Sequence, residues 1–177
     1  MMKALYFPSN YEYVTVFHED DMMKEKFIEY SIEALRLYPD TVFCCSRISF
    51  FSSYNDIDLS FSNKPALNIL DKRGLLQEIV AGKTIGFGTV TYKVSALKRL
   101  DFDFEKYLVL GDRPFLLDQL GEKGHAAFID QDLSIVFDHS DGDGRWKGLK
   151  PNHVLNLFRY YSSIFNYHNK KVNSCLS

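Results

Sequence analysis

The chain has 177 residues, 46% hydrophobic and 25% charged, which suits one domain with a sizeable core and excludes a disordered polymer. Its 21 Lys and Arg against 23 Asp and Glu give a formal charge of -2, so it lacks the basic surplus of a nucleic-acid binder. No apolar run approaches the roughly 18 to 20 residues that cross a bilayer, the apolar part of Met1–Pro8 is too short for a signal peptide, and three cysteines do not make a disulfide framework.

In chain order, Tyr13 to Phe17 is rich in β-branched and aromatic residues and reads as a buried strand. Met23, Phe27, Tyr30, Ala34 and Leu37 then recur at steps of three or four, which predicts an amphipathic helix over 22–37, stopped by Pro39-Asp40. A second strand is expected over Thr41 to Phe51, where Cys44 and Cys45 read as small buried hydrophobes. Strand, helix and strand form one βαβ unit, so the expected fold class is α/β with a mostly parallel central sheet flanked by helices. Polar 52–63 is a loop, 72–80 a short helix, and 82–88 a glycine-bearing turn leading to a strand at 89–93 and a helix at 94–100. Another helix spans 112–122, with Asp112 at a plausible N-cap and Pro114 in its first turn. Two short strands, 126–129 and 133–137, precede the glycine-rich loop 138–148 and an aromatic helix over 152–166. Residues 1–150 form the α/β domain, and 151–177 is a helix and tail packed on it.

The first strand runs into Glu19, Asp20 and Asp21. An unpaired buried carboxylate costs several kcal/mol or more, so the acids belong where the strand leaves the core. In open α/β sheets that edge binds ligands. Clustered carboxylates there repel one another unless a hard cation such as Mg²⁺ or Mn²⁺ is bound. A solvated acidic turn explains the same residues equally well.

Four stretches in this order resemble the inverting, GT-A-type glycosyltransferases of family 2. Phe17-His18-Glu19-Asp20-Asp21-Met22 is similar to their Asp-x-Asp-type metal motif in its His-first version. Gly86-Phe87-Gly88-Thr89-Val90-Thr91-Tyr92-Lys93-Val94-Ser95-Ala96-Leu97 resembles the family's glycine turn, strand and small helix. Leu110-Gly111-Asp112-Arg113-Pro114 occupies the place of the acidic pair whose Asp is the catalytic base, and Phe137-Asp138-His139-Ser140 resembles the arginine-x-histidine after the last strand. The likeness covers about Lys3 to Trp146. The family's N-terminal nucleotide-binding portion has no counterpart, and one acid of the pair is replaced by Gly111.

This resemblance implies a partial nucleotide-diphospho-sugar transferase fold and metal-dependent transfer of a sugar, with inversion, from a nucleotide diphosphate donor to a hydroxyl of a glycan or lipid-linked acceptor. By it, Asp20, with His18, Asp21 and His139, would hold Mn²⁺ or Mg²⁺ against the diphosphate, and Asp112 would deprotonate the acceptor. Asp112 is also a good helix cap, and the two roles can coexist. Arg145-Trp146 resembles the Arg-Trp of processive sugar polymerases and so is a candidate donor contact, although Gly142 stands where that pattern has glutamine. The alternative is a non-catalytic remnant or subunit serving as a binding domain. The expected location is cytoplasmic or peripheral to the inner face of the membrane. The last helix is the candidate surface for a membrane, a partner subunit or a second copy.

Overall fold

The computed structural model describes residues 10–17, 21–51, 60, 65–97, 111–137 and 151–175. Their sheet has six strands: β1 (Tyr13–Thr15), β2 (Met22–Met23), β3 (Thr41–Phe51), β4 (Leu67–Leu70), β5 (Val90–Lys93) and β6 (His125–Phe137). The order is β1-β5-β3-β6-β2, with β4 also paired to β6. The helices are α1 (Phe27–Leu37), α2 (Lys72–Val80), α3 (Val94–Leu97), α4 (Asp112–Gln119) and α5 (Pro151–Cys175).

The expected mostly parallel sheet of a GT-A-like fold is not found. Only β3 and β6 run parallel; β1–β5, β3–β5, β2–β6 and β4–β6 are all antiparallel, so the sheet is mixed and mostly antiparallel. The direction inferred from the first βαβ unit holds, since β1 and β3 are both antiparallel to β5 and therefore run the same way. Their adjacency does not hold, because β5 inserts between them. The misreading has a physical cause. A strand–helix–strand order fixes the relative direction of two strands but not what lies between them, and β5 pairs antiparallel with both.

Alternation along the strands shows that cover directly. Phe43, Cys45, Ala126 and Phe128 join a cluster with Leu75, Leu76 and Ile79 of α2, Phe115, Leu116 and Leu117 of α4, and Ile164 of α5. Their neighbours Cys44, Ala127 and Ile129 join Phe27, Ala34 and Leu35 of α1. Each fully buried side chain of this size is worth about 1.5–3 kcal/mol relative to exposure.

Tertiary pairing shortens the predicted first helix. Met22 and Met23 pair with Ile135 and Ser134, and the Lys24 N–H donates to the Leu133 carbonyl at 2.9 Å, so α1 begins only at Phe27. Residues 126–137, expected as two strands, are one strand with an irregularity: Ile129 faces Ser46 and Asp132 faces Arg47, leaving Asp130 and Gln131 without counterparts on β3. Strand β4 falls where no strand was expected. Helix α2 matches its expected limits, its Asp71 side chain accepting from the Gly74 N–H at 2.7 Å.

Candidate functional site

The C-terminal ends of the parallel pair β3 and β6 gather the charged groups of interest. The Ile48 N–H in the later half of β3 donates to the Thr84 carbonyl at 2.8 Å, which lays residues 84–86 beside that strand. Gly86 is buried there with an extended backbone (φ -143°), and helix α4 brings Asp112 to it. A Cβ on Gly86 would stand 3.1 Å from Asp112 Oδ2 and 2.9 Å from Ile48 Cδ1. A side chain there would push both groups aside by a few tenths of an ångström.

Asp112 is not the cap of α4. That position belongs to Gly111, whose φ of 83° lies in the left-handed region open to glycine. Asp112 is the first helical residue. The residue is exposed, and its charge gains from the positive end of the helix. Arg113 donates from Nε to the Ile85 carbonyl at 3.3 Å.

Two tyrosines register the Asp112 charge. Tyr92 of β5 is buried, and its phenol is pushed well above its ordinary value by that burial first, then by Cys45 and Asp112. Tyr161 of α5 is raised by burial, with the Arg113 charge opposing and the Asp112 charge adding to the shift. Neither tyrosine was anticipated; both come from segments remote in sequence.

Asp21 immediately precedes Met22, whose partner Ile135 is next to the Ser134 that pairs with Ile48. Asp21 and Asp112 therefore occupy the same end of the sheet, on either side of β3 and β6.

A second charged group fills the irregularity of β6. Asp130 accepts from Lys83 Nζ at 2.8 and 3.0 Å and faces Arg47 Nη1 at 3.3 Å, while Arg47 Nε lies 3.1 Å from Asp132. Arg47, the one charged residue of β3, was the sequence signal for this group. Its partners could not be named without the β3–β6 register.

Of the predicted metal ligands, Asp21 alone is described; His18, Asp20 and His139 lie outside the described residues, as do Arg145 and Trp146. Among the described residues no three His, Cys, Asp or Glu side chains are grouped to hold a metal, and no helix is long and apolar enough to cross a membrane. Neither the protein-family models nor the curated proteins contain a match to this chain.

Proposed function

We propose that this chain is a glycosyltransferase in which Asp112 removes the proton from an acceptor hydroxyl as that oxygen attacks the anomeric carbon of a nucleotide-diphosphate sugar. The observation that supports this reading is the placement of Asp112: an exposed carboxylate residue at the positive end of α4, set against Gly86, which has no side chain to crowd it. Attack from the side opposite the departing diphosphate inverts the sugar. A base placed within hydrogen-bond reach of the acceptor contributes on the order of 10²- to 10⁴-fold.

The acids Asp20 and Asp21, with His18 and His139, are the residues that would hold Mn²⁺ or Mg²⁺, which supplies neutralising charge for the leaving diphosphate. In this reading the metal acids serve the leaving-group end of the substrate and Asp112 the acceptor end. Arg145 and Trp146 are the candidate donor contacts. The acceptor class is a glycan or a lipid-linked glycan, and a cytoplasmic setting at the membrane face accords with it.

Calorimetric titration with uridine diphosphate and Mn²⁺ tests the donor half, and release of nucleotide from a uridine-diphosphate sugar tests the base. Metal-dependent binding should be present in the wild type, lost in Asp20→Ala and kept in Asp112→Asn, whose turnover should fall by about 10² or more. No metal-dependent nucleotide binding would instead favour a non-catalytic interaction domain, a reading to which the exposed apolar residues of α5 lend weight.

A further inference from the structure

Helix α5 exposes large apolar residues and carries charge of one sign. Val154, Leu155 and Phe158 are 51, 44 and 68% exposed, whereas Ile164, a turn and a half beyond Phe158, is buried in the core with Tyr160, Tyr161 and Phe165 packed against it. The C-terminal half of the described contact thus fastens the helix to the body, and its first turns stand clear. Arg159 is exposed beside Phe158. The helix sequence contains Arg159, Lys170 and Lys171 and no Asp or Glu, although the whole chain has 23 acidic residues and a formal charge of -2. Acidic groups are confined to the rest of the protein.

We infer that the first turns of α5 dock on an anionic lipid surface, with Val154, Leu155 and Phe158 entering the headgroup region and Arg159 meeting lipid phosphates. A helix that combines apolar and cationic residues without acids lies in a bilayer interface and is drawn to negative lipid. It does not span the membrane, in keeping with the lack of a long apolar helix among the described residues. A second copy of the chain is the poorer occupant. The three side chains present roughly 300 Å², well short of the roughly 800 Å² per partner of a stable protein interface, and two like-charged helices would repel. Tyr161, which senses Asp112 and Arg113, is one turn from Phe158, so the bilayer would lie next to the candidate site. The inference stands whether or not Asp112 acts as a base.

Co-sedimentation of the full chain with vesicles of phosphatidylcholine, with and without phosphatidylglycerol, tests it. Binding should require the anionic lipid and weaken at least tenfold when salt is raised from about 0.05 to 0.5 M, since exposed charges are then screened. Leu155→Ser with Phe158→Ser should reduce partitioning at least tenfold, and Arg159→Glu should reduce it further, with circular dichroism and melting temperature unchanged because all three residues are exposed. Equal binding to neutral vesicles, no binding to anionic ones, or insensitivity to these substitutions would overturn the inference. A dimer seen by light scattering and abolished by Phe158→Ser would overturn it too, by assigning the patch to a second copy.

Discussion

Asp112 Oδ2 lies 3.1 Å from the point where a side chain on Gly86 would begin, although the two residues come from different turns of the chain. The extended backbone of Gly86 would accept any residue, so space alone demands glycine here. Gly86→Ala should move the Asp112 carboxylate and displace the Ile48 methyl group, at a cost of about 1–2 kcal/mol for overpacking. Thermal unfolding should show a modest loss. If Asp112 acts on substrate, turnover should fall more than stability does. Full activity in Gly86→Ala would mean that the position of this carboxylate is unimportant.

Gly124 provides the contrast. A Cβ there would meet the Leu120 carbonyl oxygen at 2.4 Å and Val42 Cγ2 at 2.8 Å. Backbone cannot swing aside as the tip of Ile48 can. Gly124→Ala should therefore destabilise more than Gly86→Ala, by about 3 kcal/mol or more in urea unfolding, with no special effect on any activity that survives.

Glycines also mark how far the sequence could be read. Gly86 was legible as a turn before a strand, because turn chemistry is local, whereas the helix expected over 112–122 ends at Gln119, with Gly121 at a φ of 58° in the turn that follows. Helix α2 was legible to its ends for the same reason: Asp71 and the spacing of Leu75, Leu76 and Ile79 are neighbours in the chain. What failed was lateral. Nothing in Met22-Met23 says that β6 will claim it, and nothing in Val90 to Lys93 says that this strand will divide β1 from β3. The site divides likewise. Asp112 was visible as a carboxylate opening a helix, whereas its neighbours Gly86, Tyr92 and Tyr161 depend on packing between segments far apart in sequence.

The ion group at the β6 irregularity is unequal, and that asymmetry is testable. Asp130 serves both Lys83 and Arg47, while Arg47 has Asp132 as a second partner. Asp130→Ala leaves Lys83 without this acceptor and should cost about 1–2 kcal/mol, given that these side chains are only 27–31% exposed. Asp132→Ala, at a more exposed carboxylate, should cost less than about 1 kcal/mol. A double-mutant cycle on Lys83 and Asp130 should return a coupling of about 1 kcal/mol.

Alkali should weaken the fold before acid chemistry of the surface is relevant to it. Burial pushes the Cys44 thiol from an ordinary 9.0 up to about 12, with the Ser31 hydroxyl pulling the other way, and burial drives Cys45 well above 9.0 as well. These groups bind their protons more tightly when folded. Their contribution is complete below pH 9 and is lost as pH rises from there towards 12, at up to about 1.4 kcal/mol per pH unit for each thiol. Urea midpoints should be flat with respect to these groups below pH 8.5 and fall steeply above 9.5. Cys44→Ala with Cys45→Ala should flatten that fall, even though the pair of substitutions lowers stability overall.

One carboxylate of α4, shared between α2 and α5, adds a polar tether to the apolar packing of α5. Asp118 Oδ1 of α4 lies 2.8 Å from Lys72 Nζ of α2 and 2.7 Å from the Tyr160 hydroxyl of α5. The hydroxyl is also 3.0 Å from the Pro114 carbonyl, but it has one proton, and the shorter contact to a charged acceptor is the stronger. Tyr160→Phe should cost about 1 kcal/mol, since the ring packing and the Lys72 bridge remain. Asp118→Ala removes both attachments at once and should cost about 2 kcal/mol. Amide exchange distinguishes loosening of α5 from general unfolding. In Asp118→Ala the protection of residues 154–165 should drop well before that of β3 or β6, because α5 opens locally when its tether is cut. Uniform loss of protection across sheet and helix would show that α5 cannot open on its own.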